Sequence, residues 1–332
     1  MMVSQRDLEE AVRAFCPVFY LCNDDSFGHP CSFDFFIQQS RLLCSHPACN
    51  RVLVELGSLS PGHVRDAVCE SCGSGERLSL QLGTPEAKYG EKDREIDEIP
   101  VYAHVKGVRV DGGDAYEALE ITYITLFAHN GPYTVFPFVH VGAHDGDIEH
   151  ITVRVDPTGS RLIGVWYNAH RNHDGCWMAA AEVETDTEGG RLVSYIAKHG
   201  HGHYPRQGTA YRHFFLGNDV MKKDIRWSPR HVVLLPTYDV VGDDVSFHHK
   251  PASKGSTIPH GESVHQRCTG DAWPNLIKND PCDWMHFQGY FGTAPSPIAQ
   301  RWFSEAEPPV SRHPLLRVFL HFWPETLSIQ GC

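Results

Sequence analysis

Three stretches between residues 140 and 205 concentrate the side chains that could bind a cation or move a proton. The first is His140-Val-Gly-Ala-His144-Asp145-Gly-Asp147-Ile-Glu149-His150. The second is Asn168-Ala-His170, and the third is His199-Gly-His201-Gly-His203-Tyr-Pro205. All three lie among branched and aromatic runs that read as strands. Imidazoles and carboxylates are costly in such surroundings unless they pair or bind an ion.

A strand over 147–155 places Asp147, Glu149, Ile151, Val153 and Val155 on one face, with His150, Thr152 and Arg154 on the other. Two carboxylates then open a face that continues as apolar core. A divalent cation or a histidinium would resolve that conflict. Oxygen ligands favour magnesium, calcium or manganese, and added imidazole shifts the expectation toward zinc, iron or manganese. Asp156-Pro157-Thr158-Gly159-Ser160 punctuates a hairpin into a strand over 162–167. That pairing brings His170, just past the second strand, toward Asp147 and Glu149. Residues 193–197 form a further strand leading into the His-Gly repeat. If the repeat is extended, His199, His201 and His203 share one face. The expected cation ligands are therefore Asp147, Glu149 and His170, with at least one of His199, His201 and His203. His144 and His150 are the candidates for acid or base in a metal-assisted hydrolysis.

Nucleophile patterns are absent: the chain has no G-x-S-x-G, no Walker-type loop and no G-x-G-x-x-G. Cys176 lies near the histidines and reads as a buried thiol rather than an activated one. A second metal site is suggested by Cys44 and Cys49, a C-x4-C pair, followed by Cys69 and Cys72, a C-x2-C pair with good structural-zinc spacing. His46 offers a substitute ligand. The alternative is four unrelated reduced thiols.

The elements that must position these groups are mostly strands, over 18–21, 52–56, 101–110, 119–128, 148–155, 162–167 and 231–235. No strand–helix alternation or fixed repeat occurs, so the expected fold is mainly β, an antiparallel β-sandwich with a few peripheral α-helices and long loops. A short N-terminal helix carries Leu8, Val12 and Phe15 on one face, with Ser4 as its cap. Residues 83–98 read as a solvated linker or long loop, and a polar segment runs from Asp243 to Gly270. The 332 residues are expected to form one sandwich domain with a cysteine-rich elaboration at 44–72. Lys and Arg total 29 against 41 Asp and Glu, a net charge of −12, which argues against nucleic acid as a partner. No apolar run reaches the roughly 18 residues of a transmembrane segment. The start lacks a secretory signal. With 11 cysteines, seven of them before residue 73, reduced thiols and a cytoplasmic setting are expected.

Several blocks resemble the vacuolar protein sorting-associated protein 62 family. They are Phe15-Cys-Pro17-Val-Phe-Tyr20-Leu, Cys31-Ser32-Phe-Asp-Phe35-Phe36, Gly146-Asp147-Ile-Glu149-His150-Ile-Thr-Val-Arg154-Val, Asn168-Ala169-His170 and His199-Gly-His201-Gly-His203-Tyr204-Pro205. Phe287-Gln-Gly289-Tyr-Phe-Gly292 and Ser296-Pro297-Ile-Ala-Gln-Arg301-Trp302 look like the family's C-terminal block. The resemblance touches about 10–45, 138–205 and 280–303. It implies a mainly β fold and a role in protein trafficking to the vacuole, at the periphery of endomembranes. The family carries Trp where this chain has Ile148, and the cysteine pairs lie outside the shared motifs. A weaker likeness is to necrosis-inducing, metal-dependent toxins. Three functions follow: a cytoplasmic metal-binding trafficking protein with a protein or membrane partner, a metal-dependent hydrolase, or a cation-dependent binder of lipid headgroups or glycans.

Overall fold

The computed structural model describes residues 5–47, 49–65, 67–71, 78–109, 116–136, 139–169, 171–211, 218–235, 274–277, 284, 287 and 289–292. Its central element is a seven-stranded sheet. In spatial order the strands are Arg171–Ala179 (β11), Leu162–Ala169 (β10), His144–Val155 (β9), Tyr116–Asn130 (β6), Val101–Arg109 (β5), His231–Leu234 (β17) and Asn275–Ile277 (β18). The first five pair antiparallel, and β17 adds parallel pairs with β5 and β18. The two longest strands, β6 and β9, pair from Leu119 opposite Val155 to Asn130 opposite His144. The hairpin from β9 into β10 is closed by Asp156, whose Oδ1 accepts from the N–H groups of Ser160 and Arg161.

Each face of this sheet is covered. On one side lies a sheet in the order His203–Tyr204 (β13), Val193–Ile196 (β12), Val18–Leu21 (β1) and Ile225–Trp227 (β16). Its Phe19, Leu21, Ile196 and Trp227 pack with Ile121, Tyr123, Phe127, Ile151, Val153 and Val155. The helix Gln5–Ala14 (α1) adds Leu8 and Val12 to that core, with Phe15 against it. On the other side lies a sheet ordered Tyr290–Phe291 (β19), Leu78–Leu82 (β4), Ser40–Cys44 (β2) and Arg51–Val54 (β3). With the helix Phe33–Gln38 (α2), it packs Phe33, Phe36, Leu78, Leu80 and Phe291 against Ile124, Leu126, Ala128 and Ile148. The remaining elements are a ribbon of Tyr133–Phe136 (β7) with Val139–Val141 (β8), a pair of Gly208–Ala210 (β14) with Asp219–Met221 (β15), and the helix Pro61–Arg65 (α3).

The mainly β expectation holds, and the sandwich is extended by a third sheet. Because both faces of the central sheet are covered, 10 of the 12 residues of β9 are buried. Burial of one large apolar side chain stabilises by about 1.5–3 kcal/mol, so each carboxylate on this strand displaces a substantial contribution. Residues 83–98 differ from a free linker. They form two 3₁₀ turns, and Glu91 Oε2 accepts from the Ser32 N–H and hydroxyl at 3.0 and 2.9 Å. Asp97 accepts from the N–H groups of Ser228 and Arg230. Ser4 and the segment from Asp243 to Gly270 lie outside the described residues.

Candidate metal and proton site

The opening of β9 has the facing that its alternation predicts. Ile151, Val153 and Val155 enter the core shared with β1 and β12, while Ile148 enters the opposite core with Ile124. Asp147 and Glu149 therefore face the first core, and His150 faces the second. Register places Asp147 beside Phe127, Glu149 beside Thr125 and His150 beside Ile124. All three ionisable groups are buried, Asp147 to 2% exposure.

Asp147 meets the His-Gly repeat. His201 Nδ1 lies 2.8 Å from Asp147 Oδ2, and the imidazole stacks on Phe127 with centroids 3.9 Å apart. The other ring nitrogen, Nε2, lies 3.6 Å from Asp25 Oδ2. Burial alone would depress this imidazole, but the two carboxylates overcome it and push it up to about 9. His201 is therefore an imidazolium held between two acidic groups. Asp25 is also buried, which opposes its ionisation. The contact with His201 and the N–H groups of His199 and Phe27 nonetheless hold it well below the ordinary carboxylate range.

His203 behaves oppositely. Its Nε2 lies 3.1 Å from the Thr125 hydroxyl and its Nδ1 2.9 Å from the Ser194 hydroxyl. Burial and the nearby His201 charge depress it to about 3, so it is neutral. Both ring nitrogens are engaged by hydroxyls, which leaves none for a cation. His144 is depressed by burial, against the opposing pull of Asp147. Its Nε2 meets Asn130 Nδ2 at 3.0 Å and lies 3.8 Å from Asp147 Oδ1. His199 is one-third exposed, with Nδ1 3.8 Å from Asp25 Oδ1, and burial lowers it as well.

The repeat is not extended, so the condition for His199, His201 and His203 to share one face is not met. His199 and His201 have φ of 72° and 50°, so the backbone turns at both residues. The His201 N–H bonds the Ala197 carbonyl, and the His199 carbonyl accepts from Gly131. The three imidazoles consequently reach three different surroundings. His144, Asp147 and His201 are brought together, and Glu149 shares the face of Asp147. His150 is on the far side of the strand from them. His170 and Cys72 lie outside the described residues. Cys176 is disulfide-bonded, which corrects its reading as a thiol and the expectation of reduced cysteines throughout. Cys16, Cys22, Cys31, Cys44, Cys49 and Cys69 are free.

Sequence reasoning missed Asp25. It stands in Asn23-Asp24-Asp25-Ser26, a composition typical of an exposed turn, and its neighbour Asp24 does bond surface Lys198 and Lys222. Nothing local marks Asp25 as the buried member. Asn130 and Phe127 were likewise not singled out, although the pairing of β6 with β9 carries them to the site.

A family model described as vacuolar protein sorting-associated protein 62 matches residues 1–244. Among solved structures, the chain is similar to the non-toxic HaNLP3 protein, at 14% identity and a TM-score of 0.34, covering 70% of this chain and 76% of that one. It is also similar to Necrosis and Ethylene inducing Protein 2 from the causal agent of cocoa's Witches Broom disease. That match has 12% identity and a TM-score of 0.27, covering 59% of this chain and 64% of that one. Likenesses at this level support neither a shared activity nor a shared ligand. No curated protein matches the chain.

Proposed function

Since the chain belongs to the vacuolar protein sorting-associated protein 62 family, we propose that it serves protein sorting to the vacuole as a binding protein rather than an enzyme. Asp147 and His144 are its candidate cation ligands, with Glu149 on the same face of the strand. The observation that carries this reading is the enclosure of the acidic group. Asp147, Glu149, His144 and His201 are all buried, so no described donor among them is presented to a substrate in solution.

Asp147 and His144 fit a divalent cation in type and in their mutual spacing, while no third described His, Cys, Asp or Glu completes a three-donor group with them. Asp147 Oδ1 and His144 Nε2 lie 3.8 Å apart, a separation one ion can bridge with bonds of about 2.1 Å. Burial lowers His144 and so favours the uncharged ring that a ligand must be, and a cation would replace the Asn130 amide now 3.0 Å from its Nε2. Asp147 Oδ2 is committed to His201, which orients the carboxylate as an outer-sphere partner would. When bound, the ion would neutralise the remaining negative charge at the start of β9. No helix among the described residues is long and apolar enough to cross a membrane, and a peripheral association through a protein or lipid partner is in keeping with that.

Metal analysis tests the reading. Full-length protein is purified without affinity metal, loaded separately with manganese, magnesium, calcium or zinc, desalted and assayed beside Asp147→Asn. Uptake by the wild type that is lost in the variant supports a site at Asp147. Equal uptake by both proteins, or none by either beyond the cysteine cluster described below, overturns it. In cells lacking the protein, the wild type but not Asp147→Asn should restore delivery of a vacuolar cargo.

A further inference from the structure

A separate group of metal-type donors lies at the open edge of the β19-β4-β2-β3 sheet. Cys44 ends β2, Cys49 lies in the turn to β3, and Cys69 follows α3. One sulfur from each lies within 4.8 Å of the other two, and among the described residues they form the one group of three ligands so placed. Cys49 Sγ and Cys69 Sγ are 3.5 Å apart. Tetrahedral thiolates at about 2.3 Å from zinc stand about 3.8 Å from one another, whereas a disulfide needs about 2.05 Å. The observed spacing matches the first arrangement.

Two features of the backbone converge on this point. The N–H groups of Cys49 and Asn50 both bond the His46 carbonyl, at 2.8 and 2.9 Å, and Asn50 has φ of 39°, so the chain doubles back beside Cys44. Arg51 reaches across to the Ser71 hydroxyl at 3.1 Å, joining the two ends of the excursion. Apolar support for the excursion is confined to buried Leu59, Val64 and Cys69, with Leu53, Val54 and Ala67 partly buried against the same core. No residue of β3 is fully buried, among the described residues β3 pairs only with β2, and Leu56 and Val68 are 38% and 55% exposed. The five-residue α3 buries Val64 alone. A metal cross-link would add to that limited support, as it does in small folding units with little core.

We propose that Cys44, Cys49 and Cys69 hold a structural zinc ion that staples residues 45–71 to the edge of β2. Cys69 and Cys72 have the C-x2-C spacing of structural zinc sites, and Cys72 lies outside the described residues. Zinc suits the site because the thiolates are soft donors and two of the three cysteines are buried. Removing the ion leaves the rest of the fold in place, because both principal cores draw mainly on the central sheet and its two covering sheets.

The test uses full-length protein prepared under reducing conditions with zinc supplied. Expected results are one tightly held zinc per chain, retained in Asp147→Asn and lost in Cys44→Ser, Cys49→Ser and Cys69→Ser. Cobalt substitution should give intense visible bands of tetrahedral thiolate coordination in the wild type and in Asp147→Asn alone. Should the serine variants fail to fold, wild-type protein suffices. A strong chelator should expose Cys44, Cys49 and Cys69 to alkylation and open cleavage at Arg51 and Arg65, and zinc should reverse both. Wild type without zinc, zinc retained in all three serine variants, or a Cys49–Cys69 disulfide in the reduced preparation overturns the proposal. Because Asp147→Asn keeps this zinc, failure here is distinguishable from failure of the Asp147 site.

Discussion

Asp147→Asn should uncouple the charge of His201 from the fold, and the effect should depend on pH in one direction. Raising an imidazole from 6.5 to about 9 corresponds to about 3 kcal/mol of preference for its charged form, at about 1.4 kcal/mol per decade. Asp147 makes the 2.8 Å hydrogen bond and Asp25 the longer 3.6 Å contact, and a hydrogen bond to a charged group is worth about 1.5–3 kcal/mol. Asparagine keeps the shape of the carboxylate while removing its charge. The folded pKa lies above that of the unfolded chain, so this stabilisation is complete below pH 6.5. It declines between 6.5 and 9 and is gone above that. Urea unfolding in EDTA, followed by fluorescence of buried tryptophans such as Trp227, measures the penalty free of any cation. The expected penalty is about 2 kcal/mol at pH 6, falling toward zero or reversing at pH 10. A penalty that is the same at both pH values would refute the imidazolium assignment. So would a variant as stable as the wild type at pH 6.

Other outcomes follow from the neighbours of that pair. Thr125→Val leaves His203 Nε2 buried without its hydroxyl and should cost about 1–3 kcal/mol by the same unfolding assay. Because folding depresses His203 to about 3, its contribution is intact above pH 6.5 and is lost progressively as pH falls toward 3. His203→Gln should flatten that part of the acid limb in a pH–stability titration. Gly146→Ala should destabilise more than an ordinary surface change, detectable as a lowered melting temperature. At φ of 71°, its new Cβ would stand 2.6 Å from the Phe291 carbonyl oxygen, directly before Asp147.

Burial on both faces explains the chemistry of β9. On a strand with one wet face, either Asp147 and Glu149 or His150 would point to water, and only the other set would need a partner. The third sheet removes that outlet. Asp147 is answered by an imidazolium from a turn 54 residues away in sequence. Another carboxylate, Asp25, secures the same imidazolium from the opposite side. The pairing also accounts for the different states of His201 and His203, two residues apart. One faces carboxylates and is charged; the other faces hydroxyls and is neutral.

The local pattern of residues was sufficient for several features, because each depends on neighbours a few positions apart. Alternation set the faces of β9, Asp156 and Gly159 set the hairpin into β10, and the spacing of Leu8 and Val12 set the buried side of α1. The cysteine spacing indicated which sulfurs would meet, three of which are together in the structure. Tertiary structure alone decided the rest. The third layer arises from sheet packing that no single strand encodes. The left-handed turns at His199 and His201 override the extended reading because the turn is tied to Gly131 and Asp25. The burial of Asp25, rather than Asp24, depends on His201, 176 positions along the chain. A carboxylate's role is set by which charge lies within a few ångströms of it, and that distance is a property of the folded chain.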